Sequence, residues 1–432
     1  MESAQLLALL ANLRSADNAA RSAAEKAYTD GLSADPALVL GSLTRCLSPG
    51  QCSEEVVRVQ AATLLRRATV SVGPGETPWS RLAVPAQAQI RVALLQALEA
   101  ESSSNVRKIL VAGIGAIAAQ ASSEDVEFVS SAFTFAKSDN VHHQEVALRL
   151  LTELMGTSHT RSILAQQQAL GSLISSALSA APLQAAALTF VAEMVSVLGL
   201  AEVQALGALL PLVEGALKGL ASRDCSEFED ALQSLVGCAS EQARFFEPRY
   251  REWVEMMLVF GGAQGALPDG CRSLALEWIS SVVESKPKAL LKALPDLPEK
   301  VLTMAFAFLA ETDEVAGWAS VDEDEEEDDA EGLHETGEAK VDFFVKRLGF
   351  KATGAPLLAL VKRYGASSRW QDQLAAAMAV RAAVEFVDSP VALDAMTTVL
   401  LQLGRSENMR VRYAAFLALG QTCHDQDVEF HN

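Results

Sequence analysis

The chain has few aromatic residues and few cysteines for its size. Only 6% of its 432 residues are aromatic although half are hydrophobic, so the interior must be built mainly from Ala, Leu and Val. Such a composition favours many thin contacts between helices over one large globular core. The six cysteines are scattered without a paired framework, which suits a reducing compartment.

Long apolar runs and a signal peptide are also missing. The longest apolar candidate, 109–119, contains two glycines and falls short of the ~18 residues that a membrane-spanning helix requires. At the N-terminus, Glu2 replaces the basic residues of a signal peptide, and Gln5 and Asn12 interrupt the apolar run. We therefore expect a chain without a membrane-inserted segment.

Motifs of common catalytic and metal sites are absent as well. The sequence has no HExxH and no CxxC, and His424 with His431 lacks the spacing and cysteine support of a zinc site. The glycines at 113–115 and 261–265 follow no predicted strand and lack the Lys-Ser/Thr of a phosphate-binding loop. We expect no enzymatic activity, no cofactor and no metal site.

What the chain has in excess is negative charge. It contains 55 acidic and 35 basic residues, for a formal charge of −20. Eight carboxylates are consecutive: Asp322, Glu323, Asp324, Glu325, Glu326, Glu327, Asp328 and Asp329. Since like charges repel and cannot pack, we predict a disordered acidic loop at about 317–338. Such a chain is a poor nucleic-acid binder, but its field attracts basic partners.

One pattern recurs along the chain: a polar start, then Arg, then small residues on an apolar helical face. It is found at 15–28, 53–67, 103–119, 138–155, 268–285 and 406–422. The aligned arginines are Arg21, Arg58, Arg107, Arg272 and Arg412, with Gln144 in the weaker fourth copy. The first three arginines are 37 and 49 residues apart, close to the ~40–47 residues of HEAT helix pairs.

This spacing, with capping residues before each copy and no alternation typical of strands, predicts an all-α fold. We expect a right-handed superhelical solenoid of HEAT-type antiparallel helix pairs over residues 1–432. The last predicted helix keeps an apolar face without a following partner, which indicates the N-terminal part of a longer solenoid or a truncated gene product.

Two roles are open for the repeat arginines. Each one ties its helix to the adjacent repeat through an acidic neighbour, or it contacts a partner directly. We favour the first role because Arg is suited to fixed planar hydrogen bonding. For direct contact, the basic stretches 64–67 and 106–108 are the first candidates.

The order of several segments resembles the N-terminal half of the importin-β superfamily, and is most similar to the large importins that carry ribosomal proteins and histones. The segments are "LLALLANLRSADNAARSAAEKAY", "VVRVQAATLLRRATV", "LLQALEAESSSNVRKILVAGIGAIA", "GWASVDEDEEEDD" and "MRVRYAAFLALGQ". The resemblance covers residues 3–425, although 156–240 match only in pattern. The stretch 367–377 keeps Trp370 but lacks the basic residues found in the family. Family members are longer, so their C-terminal arch has no counterpart in these residues.

The resemblance implies a nuclear transport receptor that binds basic nuclear localisation signals, passes Phe-Gly nucleoporins and releases cargo when Ran-GTP binds. It implies shuttling between cytoplasm and nucleus, and cargo such as ribosomal proteins and histones. The alternatives are a HEAT-repeat scaffold without a transport role and a chaperone for basic proteins.

The resemblance also suggests where partners bind. Ran would contact the second (B) helix of each of the first pairs, at 15–28, 53–67 and 103–119. The candidate residues are Arg58, Arg66, Arg67, Arg107 and Lys108. The acidic loop Asp322–Asp329 would meet basic cargo or Ran. Trp318 and Trp370 are candidate aromatic anchors for aliphatic side-chain stems.

Overall fold

The computed structural model describes residues 3–70, 76–121, 127–313 and 332–426. These residues form helices joined by turns, and no strand occurs among them. The chain divides into two compact units, Met1–Val197 and Leu198–Asn432. Within each unit consecutive helices pack in pairs, and the predicted all-α fold of HEAT-type antiparallel helix pairs is confirmed.

The first unit is a row of helix pairs, each with a first (A) and a second (B) helix. Its helices are α1 Ser3–Leu13, α2 Asn18–Ala34, α3 Pro36–Cys46, α4 Glu55–Thr69, α5 Val84–Ala100, α6 Ser104–Ala118, α7 Glu127–Ala136, α8 Val141–Leu154, α9 Thr160–Leu164, α10 Gln167–Ser179 and α11 Gln184–Val197. The B helices α4, α6, α8 and α11 pack side by side in that order.

The second unit repeats this arrangement. Its helices are α12 Leu200–Leu206, α13 Leu210–Ala221, α14 Cys225–Gln242, α15 Tyr250–Gly261, α16 Asp269–Ser285, α17 Pro287–Ala293, α18 Leu297–Leu309, α19 Leu333–Leu348, α20 Phe350–Gly365, α21 Trp370–Ala383, α22 Pro390–Leu403 and α23 Met409–Asp425. Here the B helices α14, α16, α19, α21 and α23 form the continuous row.

Side-chain caps start several of the B helices. The carboxylate of Asp17 accepts a hydrogen bond from the backbone of α2, as do Ser103 for α6 and Asn140 for α8. Each cap satisfies a backbone N–H that has no partner inside its helix. The capping residue expected before the copy at 53–67 is not found, because α4 begins after Glu54 without a side-chain cap.

The few aromatic residues are concentrated in the core of the second unit. The rings of Trp253 and Trp278 stack with centroids 5.3 Å apart, and Phe246 meets both rings edge-on at 4.7 and 5.0 Å. All three side chains are fully buried. Elsewhere the buried positions are mostly Leu, Ala and Val, as the composition predicts.

One segment, Leu200–Ala221, is long and apolar enough to cross a membrane by length and composition, with a mean hydropathy of 1.4. It is not a single apolar run, because Glu202, Glu214 and Lys218 interrupt it. In the fold a 3-10 turn at Gly207–Leu209 separates α12 from α13, and the apolar side of α13 is buried. The turn therefore divides this apolar segment between two helices of the stack.

The predicted acidic loop ends earlier than expected. Helix α19 begins at Leu333, so residues 333–338 are helical rather than part of the loop. The backbone N–H of Gly332 donates to the Glu335 carboxylate at 3.0 Å, which fixes this start. The acidic run Asp322–Asp329 and Trp318 lie outside the described residues.

Helices α18 and α19 approach so closely that only glycine fits between them. A Cβ atom on Gly337 would lie 2.7 Å from the backbone nitrogen of Leu309 and 2.8 Å from the carbonyl oxygen of Ala305. Both neighbours are backbone atoms, which cannot turn aside as a side chain can. The position therefore requires the two helices to separate if any side chain is added.

We expect Gly337→Ala to lower the free energy of unfolding of the second unit by about 2 kcal/mol, because overpacking forces the backbone to shift. Gly237→Ala is the matched control, since Gly237 lies in α14 and a Cβ there meets nothing within 4 Å. Alanine should be neutral or mildly stabilising at that position. Denaturant unfolding measures both, and equal stability of the two variants would contradict the close approach.

Candidate functional site

The repeat arginines close the turn that leads into their helices. In α4, Nη1 of Arg58 donates to the carbonyl oxygens of Cys52 at 3.0 Å and Ser53 at 2.9 Å. Arg107 and Arg412 make the same pair of contacts, to the carbonyls five and six positions earlier. One guanidinium thus satisfies two carbonyl groups that the turn leaves without backbone partners.

Glutamine takes this position in three other pairs. The side-chain amides of Gln144, Gln184 and Gln373 each donate to the carbonyl six positions earlier, at 2.9, 3.0 and 2.8 Å. The turn therefore needs a long side chain with an N–H donor, and the positive charge of arginine is not part of that need.

The positive charge of arginine is used in a second contact, an ion pair with a carboxylate of the next helix pair. Arg58 binds Glu101 in a bidentate pair, with Nε–Oε2 at 2.7 Å and Nη2–Oε1 at 3.0 Å. Arg107 binds Glu145 at 2.7 Å, and Arg272 binds Glu311 at 2.7 and 2.5 Å. The prediction that the arginines tie adjacent repeats through acidic neighbours is confirmed at these three positions. We call these contacts the inter-repeat links.

The inter-repeat links stabilise the charged forms of the carboxyl and guanidinium groups that they join. Burial by itself raises the pKa of Glu145, but the charges and hydrogen bonds of Arg149 and Arg107 outweigh it and hold the pKa below its usual value. The Glu101 hydrogen bond likewise raises the pKa of Arg58. Since the folded-state pKa of Glu145 is lowered, its contribution to stability is present above the ordinary carboxyl pKa and is lost as the pH falls through the folded value.

The structure contradicts two of the candidate Ran contacts, Arg58 and Arg107. The guanidinium groups of Arg58 and Arg107 are buried and bound to carboxylates, so neither presents its charge at the surface. Arg66 and Arg67, in the last turn of α4, are exposed, and Lys108 is half-buried. The exposed basic charge among the five candidates is therefore concentrated at the end of α4.

A row of charges crosses the B helices of the first unit. The Glu153 carboxylate of α8 leans over α6, where a Cβ atom on Gly115 would lie only 2.6 Å from its Oε2. The Glu153 side chain as a whole is exposed, but its carboxylate is partly desolvated, and this desolvation raises its pKa. The positive charge of Arg66 opposes the rise, and the negative charge of Glu193 adds to it. Gly115 thus leaves room for the Glu153 side chain of α8 to lie over α6.

In the second unit, ion pairs join the row of B helices. Arg381 of α21 binds Glu338 of α19 in a bidentate pair with both distances at 2.7 Å. Two further pairs join α19 to α16, Lys340 with Glu277 and Arg347 with Glu284. Most of these partners are partly exposed, so their contribution to stability is smaller than that of the buried inter-repeat links.

A small cavity opens between α21 and α23, and we call it the α21–α23 groove. Its volume is about 140 Å³. It is lined by His334, Leu374, Met378, Arg381, Arg410, Tyr413, Ala414 and Leu417. The candidate anchor Trp370 is half-buried at the start of α21, where the Arg410 guanidinium lies 5.3 Å from its ring centroid. The groove has apolar walls and a basic rim.

The described residues on both sides of the acidic run lie at this groove. The carbonyl oxygen of Asp313 accepts a hydrogen bond from Arg410 at 2.7 Å, and His334 lines the cavity two residues after Gly332. The sequence between them, 314–331, contains ten acidic and no basic residues. The most acidic segment of the chain therefore leaves and re-enters the described fold beside the α21–α23 groove.

In the described part of the chain, no group of three or more His, Cys, Asp or Glu side chains is placed to hold a metal ion.

Comparison with known proteins gives one family match within the chain. Residues 264–355 match the model of the importin repeat. This range includes α16 to α19 and begins eight residues before the linked Arg272.

Solved structures of Kap121p share the fold of almost the whole chain. Kap121p bound to RanGTP aligns with a TM-score of 0.78 at 20% identity, covering 99% of this chain and 41% of Kap121p. Kap121p bound to Pho4p gives 0.75 at 20% identity, and Kap121p bound to Nup53p gives 0.74 at 20% identity, each covering 98% of this chain and 41% of the other. The chain thus spans about two fifths of the length of these proteins.

The importin repeat at 264–355 and the fold shared with Kap121p agree with the resemblance to the importin-β superfamily. The finer assignment to the large importins stays a prediction.

We expect Glu101→Gln to lower the free energy of unfolding of the first unit by about 3 kcal/mol, because it leaves the buried Arg58 charge without a carboxylate. The double variant Arg58→Gln/Glu101→Leu should recover part of this loss, since it removes both buried charges and keeps a side-chain N–H donor for the turn. Denaturant unfolding monitored by circular dichroism measures the differences.

Glu255→Gln is the control, because Glu255 pairs with Arg251 at 3.8 Å and with Lys300 at 3.5 Å, and all three side chains are partly exposed. Loss of these pairs should change stability by less than about 1 kcal/mol. A Glu101→Gln variant as stable as this control would show that the inter-repeat link does not hold the stack.

Proposed function

We propose that this chain acts in nuclear transport, as a receptor that binds basic nuclear localisation signals, passes the nuclear pore and releases cargo on binding Ran-GTP. One observation carries the proposal: nearly the whole chain has the fold of Kap121p, which has been solved in complex with RanGTP and with Pho4p. Such a receptor moves between cytoplasm and nucleus.

For cargo, we propose the α21–α23 groove together with the acidic run Asp322–Asp329. The groove is large enough for one aliphatic or aromatic side chain, and Trp370 adds an aromatic surface at its edge. Its rim carries Arg410 and Arg381, the latter paired with Glu338, and among the described residues no acidic side chain lines the groove to attract a basic peptide. The attraction has to come from the acidic run, with Trp318 as a second anchor from the same segment. Basic proteins such as ribosomal proteins and histones fit this chemistry.

For Ran-GTP, we propose the exposed end of α4 with Arg66 and Arg67, and the neighbouring Lys108 of α6. These residues lie on adjacent B helices of the first unit, and both arginines are exposed. Kap121p, which has the same fold, binds RanGTP.

For Phe-Gly nucleoporins, we propose the grooves between neighbouring A helices of the first unit. A cavity of about 450 Å³ between α5 and α7 is lined by Val92 and Phe135 among others. A second, of about 310 Å³ between α7 and α10, is lined by Phe133 and Leu173. Both contain apolar side chains against which a phenylalanine ring packs favourably. Kap121p has been solved bound to the nucleoporin Nup53p.

Replacing Asp322–Asp329 by alternating Ser and Gly should slow association of a basic cargo peptide and flatten its dependence on salt, because the steering field is removed. Stopped-flow binding at low and moderate ionic strength measures this effect. A control variant that removes exposed acids from α2, Glu25→Gln with Asp30→Asn, should leave the association rate nearly unchanged. Unchanged rates in the first variant would rule out a role for the acidic run in capturing cargo.

The double variant Arg66→Glu/Arg67→Glu should weaken binding of Ran-GTP at least about tenfold, since charge reversal at a contact costs more than ~1.4 kcal/mol. Arg251→Glu is the control, because Arg251 is half-exposed in the second unit. Pull-down with Ran loaded with GTP or GDP provides the nucleotide comparison.

The same pull-down separates the alternative functions. Absent binding to both nucleotide forms of Ran would favour a HEAT-repeat scaffold without a transport role. Salt-sensitive binding of basic proteins that Ran-GTP does not reverse would favour a chaperone.

A further inference from the structure

Two cysteines from adjacent B helices meet in the second unit. Cys225 is the first residue of α14, and Cys271 is the third residue of α16. The Cys271 Sγ atom lies 3.8 Å from the carbonyl oxygen of Cys225, to which its thiol donates a weak hydrogen bond. Since α14 and α16 are packed against each other, the two residues lie together at the starts of neighbouring helices.

The environments of the two thiols are different. Cys225 is exposed, whereas Cys271 is completely buried. Burial raises the pKa of the Cys271 thiol to about 11, and the proximity of Glu229 and of Cys225 adds to the rise. At neutral pH Cys271 is therefore protonated and shielded, and an oxidant in solution reaches Cys225 first.

We propose that Cys225 and Cys271 form a redox-sensitive pair that closes a disulfide between α14 and α16 when a peroxide oxidises Cys225. In the first step the Cys225 sulfur attacks a peroxide oxygen. The O–O bond breaks, an S–O bond forms, and water leaves together with the thiol proton, so that Cys225 becomes a sulfenic acid. The peroxide receives the two electrons that the sulfur loses.

In the second step the Cys271 sulfur attacks the sulfur of Cys225. The S–S bond forms, the S–O bond breaks, and the hydroxyl group leaves as water with the proton from Cys271. Because the attacking group is a thiolate, the protonated state of Cys271 makes this step slow at neutral pH. The sulfenic acid on Cys225 should therefore accumulate before the disulfide forms, and closure should accelerate as the pH is raised.

The disulfide would add a covalent bond at a junction that already contains an inter-repeat link. Arg272 follows Cys271 directly, and it binds Asp269 within α16 and Glu311 beyond α18. A bond from α14 to α16 restricts the movement of these two helix pairs relative to each other. Oxidation would thus stiffen this part of the stack, whether or not the chain acts in transport.

The test treats the full chain with hydrogen peroxide and maps its tryptic peptides by mass spectrometry. Cys225 lies in the peptide 224–244, which also contains Cys238, and Cys271 lies in the peptide 252–272. A Cys238→Ser background therefore assigns the bond. We expect the two peptides to be joined with the loss of two hydrogens, more rapidly at alkaline pH, and separated again by dithiothreitol. The oxidised protein should also unfold at a higher temperature.

Two variants and an internal control complete the test. Cys271→Ser should leave a sulfenic acid on Cys225 that dimedone traps, without joined peptides, and Cys225→Ser should prevent joining altogether. Cys423, the other exposed cysteine, should take the dimedone label at a position remote in sequence from the pair. Joining of Cys225 to any other cysteine, glutathione adducts alone after addition of glutathione, or a peroxide-treated protein without the linked peptides would overturn the proposal.

Discussion

At three junctions a buried guanidinium at the start of a B helix binds a carboxylate of the next pair, and the register of stacking there depends on this contact. An Ala- and Leu-rich helix pair offers its neighbour an apolar face with little shape, against which several registers bury similar area. A planar group bound to two carbonyls of its own turn and to one carboxylate of the next pair permits a single arrangement. We infer that the link contributes more to the specificity of stacking than to net stability, because burying both charges costs desolvation that the pair only partly recovers.

This structural use of arginine decides which charges remain for partners. Arg58, Arg107 and Arg272 are engaged inside the stack, so surface recognition has to rely on other groups. In the first unit the exposed end of α4, with Arg66 and Arg67, is such a group. In the second unit, too, an arginine is engaged within the stack, since Arg381 is bound to Glu338. The most acidic segment of the sequence, 314–331, comes between α18 and α19.

Helices and repeat links could be predicted because their signals are local. The B helices are identified by three signals: a cap, an arginine at a fixed place after it and a period near 40 residues. The sequence also predicts that the partners of the arginines are acidic, but not which acidic residues they are. Which arginines are buried depends on the depth of packing, so Arg58 and Arg107 were wrongly kept as candidate surface contacts. The end of the acidic loop was placed too late because charge alone did not reveal the cap at Gly332.

Other features needed the fold, although the sequence held part of the signal. Gln184 and Gln373 occupy the arginine position, and a search for any long N–H donor there would have found them. Cys225 and Cys271 are separated by about one repeat, a spacing that brings equivalent positions of adjacent pairs together. The α21–α23 groove had no such signal, because its walls come from three helices and its volume depends on their packing.

In the proposed cargo complex, the groove and the acidic run would have separate physical roles. A cavity of about 140 Å³ admits one side chain, so it buries little area and by itself gives weak, short-lived binding. The sequence 314–331 carries ten carboxylates, and the field of a charge decays over about 8 Å at physiological salt, so such a run would act at short range. Charge would then govern how often a basic segment arrives, and the apolar cavity would govern which side chain stays. Receptors built in this way discriminate among basic proteins by their apolar residues, because positive charge is common to all of them.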